Sequence, residues 1–235
     1  MSFDIVTPGP MSIQASVINH VNCYGDATGS ATVAVSGGQA PYSYIWSSGH
    51  ASDTANNLFS GFYTVTVTDA NGCIIENNIT INENAPIIST VNSNAVSCNG
   101  GSNGSASVNA SGGVAPYVYN WSSSSTSPSI SGLSYGEYWV VIADDLGCIH
   151  LDTAFVTEPQ AISVALQSTD MTCSGANDGI LNGSAFGGTS PYNYNLSFGG
   201  NSIYTDTSSF VLSGLSDGSY TVNVIDANGC ANFGY

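Results

Sequence analysis

Lysine and arginine are absent from this 235-residue chain, while sixteen acidic residues and three histidines give it a formal net charge of −16. That absence excludes several functions at once. Binding to nucleic acid requires cations to displace condensed counterions, so nucleic acid is not a partner. An anionic bilayer repels such a chain, and neither an arginine clamp nor a lysine Schiff base can be built. Charged residues of either sign make up only 7%, against about 25% in an average globular protein. Long apolar runs are missing too: none approaches the ~20 residues of a membrane helix, so no direct membrane insertion is expected. Residues Met1 to Pro10 lack the basic start and apolar stretch of a secretory signal, which places any export signal outside this sequence.

What is present argues for a folded, all-β protein. Thirteen Tyr, eight Phe and three Trp accompany dense Val, Ile and Thr, whereas disordered segments are poor in aromatic and β-branched residues. Twenty-seven Gly with abundant Ser and Asn read as strands joined by tight turns.

An internal repeat sets the organisation. Cys23, Cys98 and Cys173 are 75 residues apart, and each has a later companion, Cys73, Cys148 and Cys230. Between them the register holds. Gly25 and Gly29 correspond to Gly100 and Gly104 and to Gly175 and Gly179. The Gly37-Gly38 pair leads into Pro41-Tyr42-Ser43-Tyr44, echoed from Gly112 and Gly187. A closing block starts at Leu58, Leu133 and Leu215, the third delayed by an insertion expected to form a longer loop around Gly199 to Ser209. Tyr63, Val65 and Val67 alternate with Thr64, Thr66 and Thr68, the period of a half-buried strand. Six or seven such strands per copy suit an immunoglobulin-like sandwich, with the Leu-x-x-Gly-x-Tyr block as its tyrosine corner. The expected boundaries are 1–10 for the last strand of a preceding repeat, 11–85, 86–160, and 161–235 for a third repeat lacking its final strand.

Six cysteines allow fifteen pairings. Repeat symmetry points to one disulfide within each module, Cys23–Cys73, Cys98–Cys148 and Cys173–Cys230; reduced, buried thiols are the competing reading. Closing a loop of about 50 residues is worth ~4 kcal/mol in the chain-entropy model, and such bonds need an oxidising, extracellular setting. The wide spacing within each pair, without a histidine recurring beside it, argues against zinc.

No catalytic constellation emerges, so the chain is not expected to be an enzyme, and no cofactor is implied. His20, His50 and His150 do not recur in register. Asp69, Asp144 and Asp226 do, in Asp-x-x-Gly-Cys, where an Asp caps a hairpin by accepting backbone N–H bonds; Asp144-Asp145 is the one candidate pair for calcium. Trp46 and Trp121 read as core against a disulfide. Trp139 replaces Thr64 and Thr221 on the other face and is either a partner or sugar contact or partly covered by a neighbouring module or loop. Thr54 and Thr153, each in an Asp-Thr-Ala triplet, resemble O-glycosylation acceptors, with chance the competing explanation.

The series Cys-x-Gly-x-x-x-Gly, Gly-Gly-x-x-Pro-Tyr-x-Tyr-x-Trp and Leu-x-x-Gly-x-Tyr-x-Val-x-Val-x-Asp-x-x-Gly-Cys resembles the SprB repeat of large Bacteroidota surface proteins, including gliding-motility adhesins. Leu196 in place of Trp46 and Trp121, and Ile142 in place of Val67, are departures. The resemblance implies export by type IX secretion and display at the cell surface as a filament or stalk. Short linkers with Pro86 and Pro159 restrict φ and favour a semi-rigid rod. Neighbouring repeats are the expected partners, with surface polysaccharide or other filament subunits beyond them. The rival reading is a carbohydrate-binding or spacer array attached to a secreted hydrolase.

Overall fold

A computed structural model describes residues 9–196, 202–205 and 208–234; most of the segment 1–10, expected as the last strand of a preceding repeat, and Gly199 lie outside them. Every regular element among the described residues is a strand. The first repeat carries β1 (Ser12–Asn19), β2 (Gly29–Ser36), β3 (Ser43–Trp46), β4 (Thr54–Leu58), β5 (Gly61–Thr68) and β6 (Ile74–Ile81). They form two antiparallel sheets, β1-β2-β4 and β3-β5-β6. This is the ABE and CFG arrangement of an immunoglobulin-like sandwich without strand D. The alternation seen in the sequence decides the facing: Val65 and Val67 of β5 are buried with Ala31 and Val33 of β2, Leu58 of β4 and Ile81 of β6. Trp46 closes this core, its ring N–H donating to the Ser52 carbonyl at 2.9 Å.

The second repeat reproduces the pattern with β7 (Ile88–Asn94), β8 (Gly104–Ser111), β9 (Val118–Trp121), β10 (Ser129–Leu133), β11 (Gly136–Ala143) and β12 (Ile149–Val156), in sheets β7-β8-β10 and β9-β11-β12. The third has β13 (Ser163–Thr169), β14 (Gly179–Phe186), β15 (Tyr192–Leu196), β16 (Ser202–Thr205), β17 (Ser209–Leu215), β18 (Val222–Ile225) and β19 (Ala231–Gly234). One expectation changes here. The inserted segment is not simply a loop: β16 pairs with β15, Tyr192 opposite Thr205, and widens that sheet to four strands. The strand after the Asp-x-x-Gly-Cys turn runs over Ala231–Gly234, paired with β18, and corresponds to the first half of β6.

The tyrosine corner recurs in all three copies, Tyr63, Tyr138 and Tyr220 donating to the carbonyls of Phe59, Ser134 and Ser216 at 3.0, 3.1 and 2.9 Å. By contacts the chain forms two compact units, one of Met1–Ser89, Ala110–Tyr119 and Val141–Leu151, the other of Thr90–Asn109, Asn120–Val140 and Asp152–Tyr235. The division runs through the second repeat.

Candidate junction between successive repeats

Two turns in each sandwich carry the cysteines, and strand order puts them at opposite ends. In the first repeat, Cys23 lies in the turn between β1 and β2. That turn sits beside the end of β6: Val21 N–H donates to the Asn82 carbonyl at 2.9 Å, and Gly25 N–H to a Glu83 carboxylate oxygen at 2.8 Å. Cys73 lies in the turn that begins β6, beside the Gly37-Gly38 turn, where Ala70 N–H donates to the Gln39 carbonyl at 2.8 Å. The eight residues of β6 therefore separate them, about 26 Å at ~3.3 Å per residue. A disulfide needs Cα atoms within ~7 Å.

The bond within each module is thus geometrically excluded, and the expected pairing is corrected. Cys23 bonds Cys148, with Cα atoms 5.4 Å apart, and Cys98 bonds Cys230, 5.6 Å apart. Cys73 and Cys173 are free and exposed. The first cysteine of one repeat is tied to the second cysteine of the next. Trp46 and Trp121 are buried as expected, but they pack within the core without a disulfide against them, since none crosses the sandwich.

The surroundings of the two bonds match. At the first, the Cys148 sulfur lies 3.6 Å from the Asn22 carbonyl, and Asn84 Nδ2 donates to the same oxygen at 2.9 Å. At the second, the Cys230 sulfur lies 3.4 Å from the Ser97 carbonyl, and Asn228 Nδ2 donates to it at 3.1 Å. Glu158 accepts from Gly100 N–H at 2.7 Å as Glu83 does from Gly25. The linkers are pinned as well: Gly113 N–H donates to the Ala85 carbonyl at 3.0 Å and Gly188 N–H to Gln160 at 2.8 Å. A Cβ on Gly112 would lie 2.0 Å from the Pro86 carbonyl oxygen, and one on Gly187 2.2 Å from that of Ala161. With φ of +76° and +75°, both positions require glycine.

Each second cysteine is held by the recurring aspartate. Asp144 Oδ1 accepts from the N–H groups of Leu146 and Cys148 at 3.0 and 2.9 Å, and Oδ2 from Val114 at 2.9 Å. Asp69 and Asp226 repeat the arrangement with Asn71, Cys73 and Gln39, and with Asn228, Cys230 and Thr189. The N–H of Cys73, joined by those of Gln39 and Asn71, holds the Asp69 carboxyl below its ordinary value against the opposing effect of burial. At Asp144 burial is the largest influence and raises the value, but the N–H groups of Val114, Cys148 and Leu146 together outweigh it and the net shift is downward. The Asp144 carboxylate thus faces backbone donors, the geometry of a turn cap, and the neighbouring Asp145 offers its N–H to the Val114 carbonyl. Among the described residues no group of three or more potential metal-ligating side chains comes together.

Trp139, on β11, is 47% exposed. Nearby in sequence and in the same unit, Tyr135 and Phe155 stack edge to face at 5.4 Å. The two triplets differ: Thr54 is half-buried with its hydroxyl bonded to that of Thr32 at 3.3 Å, whereas Thr153 is exposed on β12. The histidines serve locally, His20 accepting the Asn82 N–H at 3.1 Å and His50 bonding Ser48 at 2.9 Å.

The SprB repeat family matches residues 15–51 and 90–126. No curated protein sequence matches the chain. Among solved structures, Dpr2 Ig1–Ig2 in complex with DIP-Theta Ig1–Ig3 is 9% identical, covering 94% of this chain and 97% of that one, with a TM-score of 0.29. The N-terminal eight Ig domains of the Down syndrome cell adhesion molecule are 12% identical over 94% of this chain and 33% of that one, TM-score 0.34. DIP-gamma Ig1+Ig2 is 12% identical over 61% and 97%, TM-score 0.28.

Proposed function

We propose, from the two SprB repeats it carries, that this chain is a load-bearing segment of a cell-surface stalk or adhesin, secreted into an oxidising environment and devoid of enzymatic activity. The observation that carries this reading is the pair of disulfides joining consecutive repeats. A bond within each module would only limit how far that module unravels. A bond from Cys23 to Cys148, 125 positions apart, lets tension pass from one repeat to the next without loading the segment between them, and Cys98–Cys230 does the same for an overlapping stretch. Pinned linkers with Pro86 and Pro159 support an extended, semi-rigid array. Net charge of −16 keeps parallel filaments from adhering, and the absence of Lys and Arg removes every site for trypsin-like proteases. Gliding motility and type IX export are the finer forms of the same proposal.

Antibody labelling of intact cells that make the protein should stain their surface, and small-angle scattering of the purified chain should give the profile of a rod. Staining only after permeabilisation, or a compact globule, would defeat the reading. A second reading, recognition of surface polysaccharide, is favoured by the partly exposed Trp139. A glycan-array signal abolished by Trp139→Ala would establish it.

A further inference from the structure

On one outer face the second repeat carries rings at Tyr135, Trp139 and Phe155 where the first has Ser60, Thr64 and Thr80, and a carboxylate at Glu137 where the first has Phe62. Tyr135, Glu137 and Trp139 are exposed and alternate with the half-buried Gly136 and Tyr138. They therefore share one side of the strand, successive side chains about 6.6 Å apart at ~3.3 Å per residue. Next to β11 lies β12. In the first repeat Phe62 faces Thr80 and Thr64 faces Asn78; the equivalent pairs here are Glu137 with Phe155 and Trp139 with Thr153. Glu137 is thus flanked by Tyr135 and Trp139 along its strand and by Phe155 across it. The Tyr135 and Phe155 rings meet at 5.4 Å and 83°, yet Tyr135, Trp139 and Phe155 stay 54%, 47% and 44% exposed.

The sandwich does not need these rings, since the first repeat builds the same strands with Ser60, Thr64 and Thr80 in their places. Glu137 is uncommitted as well. Glu76, Glu83 and Glu158, the other glutamates, accept from Thr66, Gly25 and Gly100 at 3.0, 2.8 and 2.7 Å, whereas Glu137 meets no hydrogen-bond donor among the described residues. Aromatic faces attract cations, and a carboxylate among them adds a full negative charge. The chain has no Lys or Arg to fill such a place itself. We infer that this face of the second repeat docks a basic segment of another protein, with a Lys or Arg head group against Glu137 and its stem along the Trp139 and Tyr135 rings. Two rings at right angles wall a corner, which suits a compact cation, whereas a stacked sugar needs one flat, open face. The net charge of −16 draws a basic segment towards the surface, and the rings fix where it settles.

The test titrates the whole 235-residue chain with an acetylated, amidated Gly-Arg-Gly-Arg-Gly peptide at physiological ionic strength, by calorimetry and by tryptophan fluorescence. Trp46 and Trp121 are buried, so a fluorescence change on binding reports Trp139. The expected result is saturable binding with a change in that signal, and none with the same peptide carrying neutral citrulline for arginine. Trp139→Thr and Phe155→Thr install the residues of the first repeat at those positions, Thr64 and Thr80, and so preserve the fold. Each of them, and Glu137→Gln, should weaken binding by roughly three- to tenfold. Equal affinity in all three variants would show diffuse charge attraction, and equal affinity for the citrulline peptide would show apolar docking; either overturns the inference. So does a neutral oligosaccharide that shifts the Trp139 signal where the arginine peptide does not, an outcome that gives the face to polysaccharide. The proposed stalk rests on the disulfides and survives each of these failures.

Discussion

The first and third repeats reach the same sandwich with differently filled cores. In the first, Trp46 and Val33 belong to the same buried cluster. In the third, Leu196 stands in for the tryptophan and Gly183 for the valine, and the space is taken by Phe210. A Cβ on Gly183 would lie 2.1 Å from the Phe210 ring, and that ring packs on Tyr194 with centroids 4.8 Å apart. The large ring moves from one sheet to the other, the kind of exchange that cores tolerate when inward positions stay apolar. The topology therefore rests on the inward apolar positions rather than on tryptophan itself.

The comparison can be broken most directly at its two large rings. Trp46→Ala and Phe210→Ala should each destabilise their own repeat by about 3–5 kcal/mol in urea titrations followed by fluorescence and circular dichroism; a loss at Phe210 of under about 1 kcal/mol would show that it is not the substitute. Leu196→Trp alone should overpack the third core by about 1–3 kcal/mol, and adding Phe210→Ala should cost less than the two single losses together.

Acid titration compares the same turns across repeats. Because folded Asp69 and Asp144 lie below their ordinary value of 3.8, their contribution is complete above that pH and is lost as pH falls below it through the folded values. Tm should be level near neutrality, then drop by several degrees in that acid range, and Asp144→Asn should flatten the drop. The smallest effect is expected at Tyr194, whose buried hydroxyl finds no hydrogen-bond partner among the described residues. Tyr194→Phe should leave stability unchanged or raise it within about 1 kcal/mol.

Period-two alternation and recurring glycines made the strands and the tyrosine corner legible from residues alone, because each is a local rule. The Asp cap was legible for the same reason. The cysteine pairing was not, since symmetry within a repeat says nothing about distance. The missing signal was the continuous strand Ile74–Ile81, which starts directly after Cys73 and carries the chain to the opposite end of the sandwich. The exchange of Trp46 for Phe210 was hidden as well, because Phe210 falls in the stretch whose length differs between copies.

The staggered bonds have one more consequence. The spans 23–148 and 98–230 overlap, so every peptide bond between Cys23 and Cys230 is bridged by at least one sulfur link. A single backbone cut anywhere in that stretch leaves both fragments covalently attached, so a protease must cut twice before any part of it is lost.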